Sequence, residues 1–126
     1  MKILIIDDDH RTRDLFKIWL EKENFEVLEA ANGLEGMKAQ QKHRADMLIC
    51  DLIMPVQEGI ETISLFRENY PQVGIIAISG GGQIGSESYL QMAEILGAWR
   101  VFAKPLDMTQ IVQAVHEWQK GLPHIA

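Results

Sequence analysis

The sequence predicts an α/β fold in which five short strands alternate with longer helices around a parallel sheet. Two observations carry this. Short apolar, β-rich runs recur along the 126 residues, with stretches of helical period between them, which is the pattern of repeated βα units. Three of the runs, Ile3–Ile6, Met47–Cys50 and Ile75–Ile78, are nearly unbroken apolar segments, as expected for strands covered on both faces.

Taken in order, strands are expected over Lys2–Ile6, Glu26–Glu29, Met47–Cys50, Gly74–Ile78 and Arg100–Ala103. The first helix carries Leu15, Phe16, Trp19 and Leu20 on one stripe; the last carries Met108, Ile111, Val112, Val115 and Trp118. Side chains at this spacing share a helix face and read as core. Asp9 reads as an N-cap, and Asn32 with Glu35 and Asp107 with Gln110 read as capping pairs for the second and fifth helices. Asn24 and Gly97 stand where a helix ends in a left-handed residue. Each strand then feeds a right-handed crossover. A single domain over residues 1–120 follows, with 121–126 as a C-terminal tail or the stump of a linker.

Hydrophobic residues at 47% and charged residues at 24% are the balance of a globular chain. No apolar run approaches the roughly 20 residues needed to cross a bilayer, so no membrane association is expected. The opening Met1–Ile6 is too short for a secretion signal and runs straight into Asp7-Asp8-Asp9. The single cysteine, Cys50, excludes an internal disulfide and suits a reducing compartment, so a cytoplasmic location is expected. Its apolar neighbours make it a core residue rather than a reactive thiol. The net charge of −6 argues against direct nucleic-acid binding, because phosphate backbones reward clustered Lys and Arg.

In an open parallel sheet, ligands collect beyond the carboxyl ends of the strands. Here those ends carry Asp7-Asp8-Asp9, Asp51, Ser79 and Lys104-Pro105, in chain order. Carboxylates packed together repel, and a divalent cation relieves this. Oxygen donors without His or Cys point to Mg²⁺, with Mn²⁺ as the alternative. Such a site commonly also holds a phosphate, so the expected chemistry is phosphoryl transfer, with a carboxylate as nucleophile forming an aspartyl phosphate. Lys104 would offset charge on the transferred group, and the Ser79 hydroxyl would donate a hydrogen bond to it. Taken singly, these residues read as a cap, a solvated turn and an ordinary serine; placed at successive strand ends they read as one site. His10 reads as the start of the first helix, and His43, His116 and His124 show no metal-ligand spacing.

Four motifs, Ile3-Leu4-Ile5-Ile6-Asp7-Asp8-Asp9, Asp51-Leu52-Ile53-Met54-Pro55 with Gly59, Ile78-Ser79-Gly80 and Phe102-Ala103-Lys104-Pro105, resemble the receiver domains of two-component response regulators. The resemblance runs over about residues 2–120. It implies a doubly wound five-stranded parallel sheet of order 2-1-3-4-5 with five helices, a three-layer flavodoxin-like αβα arrangement. It implies Asp51 as phosphoacceptor, and Asp7, Asp8, Asp51 and the backbone carbonyl of Ile53 as the protein's share of an Mg²⁺ site, Asp8 being the more direct ligand of the acidic pair. Ser79 matches the switch hydroxyl and Lys104 the lysine that pairs with the phosphoryl group; Pro105 follows in the cis form in many relatives.

The function so implied is a signalling switch. A sensor histidine kinase or His phosphotransfer protein donates the phosphoryl group, and the face of the fourth helix, fifth strand and fifth helix changes to control an output partner or an attached output domain. The resemblance is also compatible with a phosphorylation-dependent homodimer. It implies no enzyme beyond the domain's own phosphoryl transfer and slow autodephosphorylation. Two departures stand out. Val101 occupies the position where relatives carry a switching Tyr or Phe, with Phe102 and Trp99 beside it, and the stretch from Ser79 to Gly97, with Gly80-Gly81-Gly82, is longer than in many relatives. Ile53 and Gly81, two residues after Asp51 and Ser79, cannot orient an attacking water, which implies a long-lived phosphoryl state. An aspartyl-phosphate phosphohydrolase would carry an acid where Ile53 stands. An interaction module that keeps the fold without the reaction is argued against by the complete set of site residues, though Val101 leaves it open. A stand-alone protein and a receiver of a longer regulator both fit the sequence.

Overall fold

Why three strands are buried and two are not follows from their order. In the computed structural model, which describes residues 1–53, 59–80, 91 and 93–125, one parallel sheet contains β1 (Lys2–Ile6), β2 (Glu26–Ala30), β3 (Met47–Asp51), β4 (Gly74–Ser79) and β5 (Arg100–Ala103). Their order is β2-β1-β3-β4-β5. The apolar β1, β3 and β4 are interior, while β2 and β5 form the edges and keep exposed residues. The helices are α1 (His10–Lys22), α2 (Gly33–His43), α3 (Gly59–Asn69), α4, marked by helical residues 91 and 93–95, and α5 (Met108–Ile125). This is the doubly wound, five-helix arrangement the resemblance implied.

Side chains alternate across the sheet and build a core on each face. Ile3, Ile5, Ile49, Ile76 and Ile78 meet Phe16 and Leu20 of α1 and Ile111, Val115 and Trp118 of α5. On the other face Leu4, Ile6, Leu48, Cys50, Ile75 and Ala77 meet Ile63 and Phe66 of α3 and Ala93 of α4. Phe16 and Phe66 are fully buried, and truncating either to Ala should cost about 3–5 kcal/mol. The stripe on α1 is wider than its contact with the sheet. Leu15 and Trp19 stay 39% and 37% exposed, and the Lys22 ammonium lies 5.8 Å from the Trp19 ring.

The caps follow the side-chain chemistry. Asp9 accepts from the Arg11 amide at 3.0 Å, Asn32 from the Glu35 amide at 2.9 Å, and Asp107 from the amides of Thr109 and Gln110. The Glu35 carboxylate returns to the Ala31 amide at 3.2 Å, one residue earlier than a standard capping box. Asn24 (φ 67°) and Gly97 (φ 104°) are left-handed, as their types suggest, but so is Arg44 (φ 53°). Buried Gln40 explains Arg44: its amide bonds both the N–H and the carbonyl of Ala45 and fixes the turn around it.

Strands β2, β3 and β4 run one residue past their expected ends, to Ala30, Asp51 and Ser79. Asp51 and Ser79 are therefore ladder residues, opposite Ile78 and Ala103. At the other extreme, α5 crosses Gly121 to Ile125. A helical glycine costs about 1 kcal/mol, too little to end a helix whose earlier turns are anchored in the core. Met54, Pro55, Gly81 and Gly82 of the sequence motifs lie outside the described residues.

Candidate functional site

The strand order reverses between β1 and β3: the chain leaves β1 for β2 on one side, and β3 joins on the other. Such a reversal opens a crevice at the carboxyl ends. Asp7 and Asp8 follow β1 there, and Asp51 ends β3. Carboxylate oxygens of Asp7, Asp8 and Asp51 lie within 4.8 Å of one another. Lys104, just past β5, reaches both buried members, with Nζ 3.5 Å from Asp7 Oδ2 and 3.6 Å from Asp51 Oδ2.

Local bonds hold the donors in place. Asp7 Oδ1 accepts from the Asp9 amide at 2.8 Å, and Asp51 Oδ1 accepts from the Ile53 amide at 3.0 Å. Gly59 lets α3 start against this loop, since a Cβ there would collide with the Asp51 carbonyl and Leu52 Cα. Cys50 is buried behind Asp51, and burial pushes its thiol up, far from any reactive state.

The electrostatics is unbalanced. Asp7 is 1% exposed and Asp51 5%. Burial first, then the charges of Asp51 and Asp8, drive Asp7 up to about 6, against the opposing pull of the Asp9 amide and Lys104. Asp51 is also raised, mainly by burial, despite the Ile53 amide and Lys104. Burial works against the charge on Lys104, but Asp51 and Asp7 outweigh it and hold the ammonium above its usual range. One lysine does not balance three clustered carboxylates. In addition, the buried Ser79 hydroxyl has no hydrogen-bond partner among the described residues. All-oxygen donors, excess negative charge and an orphaned hydroxyl fit a hard divalent cation together with an incoming oxyanion.

The structure thus brings Asp7, Asp8, Asp51 and Lys104 together, with Ser79 buried at the end of β4. Ile53 stands in the same loop, 44% exposed. Asp9 is the cap rather than a cluster member, and His10 opens α1. Val101 packs on the α3/α4 side of the sheet, whereas Trp99 and Phe102 pack on the α1/α5 side. Neither neighbour can therefore take the place of the missing aromatic. The Lys104–Pro105 bond is cis. Sequence reasoning missed Arg13, whose Nη1 donates to the Asp7 carbonyl at 2.7 Å. An arginine inside a surface helix gives no sign of such a contact.

A carboxylate cluster with a lysine, set at the reversal point of a doubly wound sheet, defines a small α/β domain whose site could hold a cation beside an anion. The response regulator receiver domain family matches residues 3–116. Sporulation initiation phosphotransferase F of Bacillus subtilis is 32% identical over 117 residues, covering 93% of this chain and 92% of that protein. Transcriptional regulatory protein SrrA of Staphylococcus aureus is 37% identical over 82 residues, covering 65% of this chain and 34% of that protein. Among solved structures, a CheY-like receiver domain protein from Methanospirillum hungatei shares the fold with a TM-score of 0.88 at 24% identity, covering 99% of this chain and 98% of that one. Vibrio cholerae chemotaxis protein CheY4 superposes with a TM-score of 0.82 at 27% identity, over 92% of this chain and 96% of that one. The chain belongs to the response regulator receiver domain family. It is accordingly a receiver domain of two-component signalling, a signalling switch rather than a conventional enzyme, and among the described residues no helix is long and apolar enough to cross a membrane.

Proposed function

We propose that residues 1–120 form a Mg²⁺-dependent phosphorylation switch, with Asp51 accepting a phosphoryl group from a histidine kinase or a His phosphotransfer protein. The observation that carries this reading is the buried, charge-unbalanced Asp7/Asp8/Asp51 cluster touching Lys104. In the reaction a carboxylate oxygen of Asp51 attacks phosphorus, the P–N bond of the donor breaks, and the departing imidazole takes up a proton. Mg²⁺, held by Asp7, Asp8, Asp51 and the Ile53 carbonyl, with Mn²⁺ as a substitute, would neutralise charge on the transferring group. Lys104 pairs with the phosphoryl oxygens, and Ser79 gives them the hydrogen bond that its hydroxyl lacks among the described residues.

Phosphorylation replaces one negative charge with about two and adds acceptor oxygens. Moving a 1:99 equilibrium to 99:1 takes about 5.5 kcal/mol of preference for the active state. Three or four charge-assisted hydrogen bonds at about 1.5–3 kcal/mol each are enough. The readout is the face of α4, β5 and α5, where Glu94, Ala98, Trp99, Arg100 and Val101 line a cavity of about 360 Å³. Its occupant is an output partner, an attached output domain or a second copy. Because Val101 is small and neither Trp99 nor Phe102 packs on its side of the sheet, this switch works without an inward-rotating aromatic at that position. Exposed Ile53 offers no group to orient water, so the phosphoryl state is expected to decay over minutes or longer. A half-time of seconds in the purified protein with Mg²⁺ would contradict that.

The test is intact mass after incubation with acetyl phosphate and Mg²⁺. One added phosphoryl group is expected, absent in Asp51→Asn and in a chelated sample. No added mass under conditions that modify another receiver would favour a module that binds partners without phosphorylation.

A further inference from the structure

We propose that Arg13 is a positioning residue for the metal site, orienting Asp8 through the backbone of Asp7; the inference rests on the Mg²⁺ switch proposed above. Asp8 is the exposed member of the cluster, and no hydrogen bond holds its side chain among the described residues. Its carboxylate can be placed only by its backbone. The peptide plane joining Asp7 to Asp8 contains the Asp7 carbonyl, so fixing that oxygen fixes the orientation in which Asp8 leaves the strand. Arg13 does this: Nη1 donates to the Asp7 carbonyl at 2.7 Å, a short charge-assisted bond.

The guanidinium is itself anchored. Its Nε lies 3.2 Å from Glu29 Oε1 on β2, and the Arg13 side chain is 17% exposed. One planar fork therefore ties the second turn of α1, the edge strand β2 and the acidic loop together. The other flank is also fixed, since the Asp7 amide donates to the Ala30 carbonyl at 3.2 Å and the Asp9 amide donates to Asp7 Oδ1. Asp8 sits between two pinned residues. Lysine could engage either Asp7 or Glu29, but it lacks the fork that holds both.

The experiment is calorimetric titration of the full chain with MgCl₂ at pH 7.5, beside thermal unfolding of each variant. Arg13→Met keeps the packing of the stem and removes the fork, and is expected to raise the Mg²⁺ Kd about tenfold. Arg13→Lys and Glu29→Gln, which leave one end of the link, should give increases of about twofold to fourfold. Arg67→Met removes a guanidinium bonded to Pro71, Val73 and Gly97 at the opposite end of the sheet. It should lower the unfolding temperature without moving the Kd. A folded Arg13→Met with a Kd within twofold of the unaltered protein would overturn the proposal. So would Arg67→Met shifting the Kd as far as Arg13→Met, because the effect would then be mere destabilisation. If the unaltered protein bound no Mg²⁺, the proposed function would fall and this inference with it.

Discussion

Gln40 and Ser79 are both buried polar side chains, at 1% and 0% exposure, and they sit at opposite ends of the sheet. At the amino end, Gln40 donates Nε2 to the Ala45 carbonyl at 3.1 Å and accepts the Ala45 amide on Oε1 at 2.9 Å. Nearby, Asp46 accepts the Lys2 amide. Arg67 places its terminal nitrogens on three carbonyls, while its buried Nε has no partner among the described residues. At the carboxyl end, Ser79 has no partner among the described residues, and two buried carboxyls are held above their usual range. Buried polar groups are normally satisfied because an unmade hydrogen bond inside a protein is costly. At the amino end nearly all of these hydrogen bonds are made inside the protein; at the carboxyl end a buried hydroxyl and clustered carboxylates would suit groups supplied from outside.

Substitutions that treat the two ends alike should therefore give opposite results. The largest effect is expected for Gln40→Ala, which strands the buried N–H and carbonyl of Ala45 and should cost about 3 kcal/mol in denaturant unfolding. A loss under 1 kcal/mol would mean that water takes over both bonds.

The next effect is at Asp7, and its sign reverses. Its folded-state value, near 6 against 3.8 ordinarily, means that the folded protein holds the proton more tightly than the unfolded chain. This contribution is therefore fully present below about pH 4, and it is lost as pH rises through 6. Asp7→Asn should raise the unfolding temperature of the metal-free protein at pH 7.5 by roughly 5 °C, with little gain at pH 4. Equal shifts at the two pH values would contradict the assignment. By the same linkage, Mg²⁺ competes with the proton, and its affinity should fall as pH drops below about 6.

The smallest effect belongs to Ser79→Ala. Removing a hydroxyl that has no partner among the described residues should change the stability of the metal-free protein by less than about 0.5 kcal/mol in either direction. The phosphorylated protein should nevertheless lose part of its altered α4–β5–α5 state, which amide chemical shifts would report. A large stability loss would show that Ser79 is partnered after all.

The amino end was the harder to read from the sequence. The apolar periods of β1, β3 and β4 reveal buried strands, and the acidic, seryl and lysyl residues at the ends of these strands and of β5 mark the candidate site, because type and position coincide. The order of the strands came from the family resemblance; periodicity alone does not contain it. The left-handed Arg44 was invisible because its cause is a side chain four residues earlier. Arg13 looked like any solvated helix arginine, since its acceptor is a backbone carbonyl that leaves no trace in residue type. Trp99 and Phe102 looked able to stand in for an aromatic at Val101; alternation along β5 puts Phe102 on the other face, and Trp99, which precedes the strand, packs with the α1/α5 cluster instead.

The contrast between the two ends is tested most directly by thermal unfolding with Mg²⁺ and beryllofluoride, the latter standing in for the phosphoryl group. If the carboxyl end keeps its polar groups free for these ligands, together they should raise the unfolding temperature by more than about 5 °C. Asp51→Asn should lose most of that gain. A rise no larger in the unaltered protein than in Asp51→Asn would show that Asp51 is not where the anion is received.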